Sequence, residues 1–413
     1  MSQFECPVVR VTIEPHPNAD AIELARVGGY VSIVKKGQFK DGQLAVYLPE
    51  QSVLPEWLLK KLGFWDEMNA KGTLSGGRGN RIRAIKLRGI LSQGIVYPCA
   101  QIERGPVGGA DSEFSPYAVR VYGRPLTQEE QVGQLFNSES LELTEGECAS
   151  GILGVVKFEP VVPQHMAGRV AGGDLDATIG YDFENLKKIP TLLDGLQDVV
   201  ITEKLHGTCL QVGLIPRSIW EGKSWAEKCP DFGDYKGIVT SKGQGAKGLM
   251  LDPGDMSNLY VKTVRDLGLW EKLYAAAQET FPDDMPAFLF GEIFGAGVQD
   301  LSYGFSAPTF RAFDLHLGTR SDGYFEHYNV FEAVCKEQGI PMVPLLYRGP
   351  FSASKVAELT DGRTTFDANQ IREGIVVRDA RSSVEKHPRY GRYIAKSVSA
   401  AYLTRKGEVT EFQ

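Results

Sequence analysis

Over the first hundred residues, apolar positions come in short runs that alternate or are apolar throughout, rather than recurring every three or four positions. Residues 8–13 (VVRVTI), 30–36, 43–49, 81–87 and 93–98 are such runs, rich in β-branched side chains, with glycines and prolines between them at hairpin-like spacing. That pattern predicts strands. The exception is PEWLLKKLGF (55–64), which has a helical period, opens on proline and stops near a glycine. Five short strands and one helix predict a small Greek-key barrel of the OB type. Residues 104–147 are rich in Gly, Ser and Glu with little periodicity, and read as a long loop or insertion. Strand character returns at 151–163, and 165–174 reads as a linker at a domain boundary.

Beyond about 180 the texture changes. Residues 198–204, 237–242, 288–295, 310–316, 373–378 and 393–398 read as strands. Residues 258–281 and 328–340 carry an amphipathic helical period, the latter ending at a glycine stop. Strands and helices mix without a regular βαβ alternation. The prediction is an α+β domain of largely antiparallel sheets flanked by helices.

The 413 residues suit two or three domains, and 42% hydrophobic with 23% charged residues is an ordinary globular composition. No apolar run is long enough to predict a membrane span. The N-terminus lacks the basic-then-apolar pattern of a secretory signal. The six cysteines form no CxxC pair, which suits a reducing cytoplasm and argues against structural zinc. A net charge of −7 argues mildly against a nucleic-acid partner, but its distribution argues the other way. Residues 60–100 hold eight lysines and arginines against two acids, and 372–406 hold nine against three. Two basic segments on an acidic body are either solvated faces or the footprint of a polyanion.

Several phosphate motifs fail their context. Gly243–Gly248 matches G-x-G-x-x-G after a strand, but LMLDPGDMSN follows it and cannot open a long helix. Gly222-Lys223-Ser224 would need an earlier glycine where Arg217 stands. Neither HExxH nor GxSxG occurs. The informative stretch is Thr202-Glu203-Lys204-Leu205-His206-Gly207-Thr208, where a lysine ends an apolar strand before small, permissive residues. Glu292 and Glu373 each lie at an apolar strand beside glycines, Phe313-Asp314 lies between them, and Lys396 follows. A charge in an apolar strand is costly unless paired or bound to a metal. Two carboxylates and two lysines so placed point to one shared polar site, with solvated strand ends as the alternative.

This ordered set resembles the covalent nucleotidyltransferases: RNA ligases, DNA ligases and capping enzymes. Lys204-x-His206-Gly207 resembles their motif I, and Glu292, Phe313-Asp314, Glu373 and Lys396 resemble motifs III, IIIa, IV and V. His206 followed by Gly207-Thr208 is similar to RNA ligases in particular. His16-Pro17-Asn18-Ala19-Asp20, Lys86-Leu87-Arg88-Gly89 and Ser92-Gln93-Gly94 resemble OB-type tRNA-binding modules. The resemblance implies an OB-fold nucleic-acid-binding module over 1–165 and an adenylyltransferase domain over 175–413. It implies an ATP-dependent RNA ligase that seals 3′-hydroxyl and 5′-phosphate ends, with AMP carried on Lys204.

On this resemblance Glu292 and Glu373 hold Mg²⁺ or Mn²⁺, Lys396 steadies the α-phosphate, and Phe313 stacks on adenine. Glu203 reaches the base or orders the site, and His206, Gly207 and Thr208 act near the phosphates. Lys242 touches ribose or the nucleic-acid end. Relatives often carry a second motif V lysine where Ile394 stands, leaving that role to Lys396 alone or to Arg392. The expected partner is RNA or an RNA-containing nicked duplex, bound by a cytoplasmic monomer. In the OB part, Arg78, Arg81, Arg83, Lys86 and Arg88 would track a phosphate backbone, and Trp57, Trp65 or Tyr97 would stack a base. The alternatives are a nucleic-acid-binding protein with an inactive transferase domain and a DNA-end ligase. The chain's end shortly after Lys396 leaves no room there for the C-terminal OB domain of DNA ligases.

Overall fold

The computed structural model describes residues 4–103, 117–122, 140–159, 164–381 and 387–405. Most of the 104–147 segment, residues 160–163, and Lys386 and Lys406 of the second basic segment lie outside the described residues. The chain divides into two compact units, Gln3–Glu159 and Pro160–Gln413, the latter with Met1–Ser2.

In the first unit the central strand is Leu44–Leu48, which pairs antiparallel with Val8–Arg10 on one side and Ile95–Pro98 on the other. LAVYL is apolar throughout because both its faces are covered. Leu44, Val46 and Leu48 pack with Leu54, Leu58 and Leu153, while Ala45 and Tyr47 pack with Val11, Ala25 and Val96. The run expected at 8–13 breaks at the buried Val11, and its second half, Thr12–Pro15, joins a different sheet with Ile22–Val27 and Tyr30–Lys35. The Ile22–Val27 strand was not anticipated, although Gly28-Gly29, a two-residue hairpin turn with Gly28 at φ 56°, was a signal for it. The helix expected over 55–64 is Glu56–Leu62, closed by Gly63 in the left-handed region.

Three expectations in this unit fail. The strand expected over 151–163 is instead the short helix Ser150–Leu153 followed by the two-residue strand Val156–Lys157. Of 81–87 only Ile85–Leu87 is a strand, forming a hairpin with Ile90–Ser92, and Arg81 is buried and stacked on Phe158. The supposed loop at 104–147 contains the strands Tyr117–Tyr122 and Ser140–Thr144, paired in one antiparallel sheet with Ala100–Glu103.

Among its described residues the second unit contains two large sheets and a two-stranded one, in which Val170–Gly173, within the expected linker, pairs with Leu249–Leu251. The four-stranded sheet runs Leu345–Gly349, Val199–Lys204, Gly374–Asp379, Ile394–Val398, all antiparallel. The six-stranded sheet is built around Tyr235–Ser241, Thr208–Pro216, Ala287–Phe294 and Thr309–Leu317. Leu210, Val212 and Leu214 face the helices Leu259–Asp266 and Leu269–Thr280, burying Val261, Val264, Trp270 and Leu273 in one core. The long helix expected over 258–281 is split in two, because Gly268 turns left-handed at φ 60° and ends the first helix's hydrogen-bond run. Asn258 caps that first helix, accepting from Tyr260 and Val261 N–H. Six expected strands are present within one or two residues of their expected ends. Thr208–Pro216 and Leu345–Gly349 were not anticipated. Among the described residues no helix is long and apolar enough to cross a membrane.

Candidate active site

Lys204 is the last residue of its strand, and three residues later the chain enters the other sheet as Thr208–Pro216. The turn between them, Leu205–Gly207, therefore lies where the two sheets meet. Gly207 is needed there because a Cβ would sit 2.1 Å from the Ile293 carbonyl oxygen. The site is an open pocket of about 980 Å³, solvent included, lined from both sheets.

Nine of the ten site residues expected from the sequence line this pocket: Glu203, Lys204, His206, Gly207, Lys242, Glu292, Phe313, Glu373 and Lys396. Lys204 stands opposite Gly374 in the ladder, which brings its Nζ to 2.5 Å from Oε1 of Glu373. Lys204 is 21% exposed and Glu373 wholly buried, so the pair opens to the pocket only on the lysine side. Among the described residues no hydrogen-bond donor reaches Glu373 Oε2. Glu292 comes from the other sheet, opposite Cys209. Burial pushes its carboxyl up to about 8. Lys204 and Lys242 pull it back, and Glu373 adds to the rise. Lys242 starts a short helix and its Nζ lies 3.1 Å from Asp182 Oδ1. Lys396 stands opposite Val376.

Thr208 is the exception. Its hydroxyl pairs with the hydroxyl of Tyr260 in the core, and it does not line the pocket. The first residue of the new strand is turned inward, against the expectation that it meets the phosphates. Glu203 is buried behind the site, accepting from Thr365 N–H at 3.0 Å and Thr365 hydroxyl at 2.9 Å. Those bonds suit ordering the site better than reading a base. Arg392, considered as a phosphate ligand, instead binds Asp314 at 2.8 Å and stacks on Phe325.

His206 is held on several sides. Its backbone N–H donates to Tyr303 hydroxyl at 2.7 Å. Its Nε2 lies 2.6 Å from Asp300 Oδ1 and its Nδ1 2.9 Å from Tyr402 hydroxyl. Burial works against charge on Asp300, but His206 and Arg405 outweigh it and hold that carboxyl well below its ordinary range.

Sequence reasoning missed Tyr181, Asp182, Phe183 and Arg378. Residues 184–186 bond along the Lys396 strand: Lys396 N–H donates to Glu184 O at 3.0 Å, and Leu186 N–H to Lys396 O at 2.8 Å. This carries Tyr181–Phe183 into the pocket, where Tyr181 lies 5.2 Å from the Phe313 ring. Asp314, wholly buried, accepts from Tyr181 hydroxyl at 2.9 Å and pairs with both Arg378 and Arg392. Burial pushes the Asp314 carboxyl up, but the two guanidinium groups overcome this and keep it low. The alternation in EGIVVR, with Val376 and Arg378 on one face, was the available signal for Arg378.

An RNA ligase family model matches residues 197–398, and an OB-fold domain model matches residues 7–99. No curated protein matches the sequence. Solved structures of an RNA ligase from Naegleria gruberi share the fold. One, in complex with pyrophosphate, has a TM-score of 0.68 at 21% identity, covering 97% of this chain and 98% of that one. Mutant forms of the same protein, one with ATP and Mn and one with AMP and Mn, each match with a TM-score of 0.67 over the same shares, at 20% and 21% identity.

Proposed function

We propose, from the match of residues 197–398 to an RNA ligase family model, that the chain seals RNA ends with ATP through an AMP carried on Lys204. The observation that carries this reading is the Lys204–Glu373 pair at the wall of a pocket that also holds Glu292, Lys242, Lys396 and Phe313. The Naegleria gruberi RNA ligase has been solved with ATP and Mn and with AMP and Mn.

Lysine is a poor nucleophile near neutrality, since its ordinary pKa is about 10.4. Lys396 lines the same pocket as Lys204. Hydrogen bonding to Glu373 Oε1 fixes the direction of Nζ. The N–P bond forms as Nζ gives up a proton to Glu373 Oε1, its 2.5 Å partner, while the bond from the α-phosphorus to the bridging oxygen breaks and pyrophosphate leaves with that electron pair. Lys396 and Lys242 face the phosphates as charge develops. Phe313, beside Tyr181, offers the aromatic face for adenine. AMP then passes to a 5′-phosphate, and a 3′-hydroxyl displaces it.

A divalent cation fits the residues present. Glu292 and Glu373 are two hard oxygen donors. Among the described residues no donor reaches Glu373 Oε2, and burial, with the Glu373 charge beside it, pushes the Glu292 carboxyl up, a penalty that a cation would relieve. These two side chains would hold the cation, which when bound supplies charge neutralisation at the phosphates.

The test is incubation with α-labelled ATP and Mg²⁺ or Mn²⁺, followed by a denaturing gel. Label on the chain that is lost in Lys204→Ala supports the proposal, and no label under any metal sinks it. A panel of nicked duplexes with ribose or deoxyribose 3′ ends then separates RNA from DNA sealing.

A further inference from the structure

His206 sits in a setting that its proximity to Lys204 alone does not explain. Its ring is 2% exposed, yet both ring nitrogens have side-chain partners from distant parts of the chain. Asp300 comes from the loop after the Glu292 strand. That loop binds the same turn twice more, through Tyr303 hydroxyl to His206 N–H and through Gln299 Nε2, which donates to the Gly207 carbonyl at 3.3 Å. Tyr303 is held at φ 54° although it is not glycine, and it is buried, so packing maintains a strained backbone at this point. Tyr402 comes from the short helix Ala400–Leu403, which follows the Lys396 strand, and is wholly buried. Arg405 closes the arrangement by donating to Asp300 at 2.9 and 3.0 Å.

We propose that Asp300 and Tyr402 are positioning residues, which hold the His206 ring in one orientation and one tautomer behind Glu373. An ionised carboxylate can only accept, so the 2.6 Å bond to Asp300, much shorter than the 3.4 Å approach of Arg405 Nη2 to the same nitrogen, assigns the proton to Nε2. Nδ1 is then an acceptor for the Tyr402 hydroxyl and lies 3.9 Å from Glu373 Oε2. The ring thereby backs the carboxylate that holds Lys204, and ties the Lys204 turn to the segment that follows Lys396. This inference rests on the proposed ligase reading for its kinetic arm.

The experiment pairs kinetics with a direct view of the ring. Single-turnover lysine adenylylation is followed in Tyr402→Phe, Asp300→Ala and Asp300→Asn, alone and combined with His206→Ala. Loss of one such hydrogen bond predicts a rate lower by up to about tenfold. The KM for ATP should stay unchanged, Asp300→Asn should recover part of the loss, and no further loss should appear in the His206→Ala background. Long-range ¹⁵N NMR of the wild-type ring should show protonated Nε2 and unprotonated Nδ1, with Tyr402→Phe mixing the tautomers. Effects that add to His206→Ala, a rise in KM alone, or a wild-type ring protonated at Nδ1 only would each overturn the proposal. If the wild-type chain takes no label, the ligase reading fails and the NMR arm still decides the tautomer.

Discussion

Lys204 and Glu373 are 169 positions apart in sequence, yet the ladder sets Lys204 opposite Gly374 and leaves Nζ 2.5 Å from Oε1 of Glu373. The pair joins the one lysine at the turn between the sheets to a carboxylate that burial would otherwise penalise.

Glu373→Gln keeps the size of the side chain and an acceptor oxygen while removing its charge. The rate of Lys204 adenylylation should fall by about 100-fold or more, the scale of losing one preorganised electrostatic partner. Single-turnover labelling measures it, and a rate within threefold of wild type would contradict the assigned role.

Burial pushes Glu292 up to about 8 from an ordinary value of 4.5. In the metal-free protein the folded state therefore keeps a proton that the unfolded chain has already released. That contribution is fully present below about 4.5 and is lost as pH rises through about 8. The melting temperature should decline over this window, and Glu292→Gln should flatten the decline. Adding Mn²⁺ should raise stability more at pH 8 than at pH 6, because the cation favours the ionised carboxyl. An identical pH profile for wild type and Glu292→Gln would refute the assignment.

Asp314 neutralises Arg378 and Arg392 in a buried cluster. Asp314→Asn leaves two guanidinium groups without a counter-charge, at a cost of about 3–5 kcal/mol. Urea denaturation should show the midpoint falling accordingly. A change under about 1 kcal/mol would mean that the cluster is open to solvent or otherwise compensated.

In the OB unit, Lys86 and Arg88 are exposed on the Ile85–Ser92 hairpin, with Arg88 in its turn, whereas Arg81 and Tyr97 are buried. Lys86→Glu with Arg88→Glu should weaken RNA binding and reduce the salt dependence of affinity by about two ions. Self-adenylylation should be unaffected. Titrations at several salt concentrations measure the first effect, and an unchanged salt slope would exclude this hairpin as a phosphate contact.

The unit-level architecture was legible because periodicity is local. Alternation in VVITEK and FLFGEIF marks strands whatever lies beside them, and Glu203, Lys204 and Glu292 could be seen as charges in apolar strands. The order of lysines and carboxylates then named the site before any coordinates. Strand neighbours were not legible. Pairing between Val199–Lys204 and Gly374–Asp379 is a long-range choice made by the packing of two sheets, and it alone brings Glu373 to Lys204. Thr208 escaped for a related reason: the Gly207 turn resets the alternation, so the inward or outward sense of the next strand cannot be carried across it. His206 could be named from its place beside Lys204, but its partners Asp300 and Tyr402 arrive from 94 and 196 positions away. The sequence alone marked which residues could share a site; the tertiary fold decided which of them touch, because burial and ladder register act on the whole chain at once.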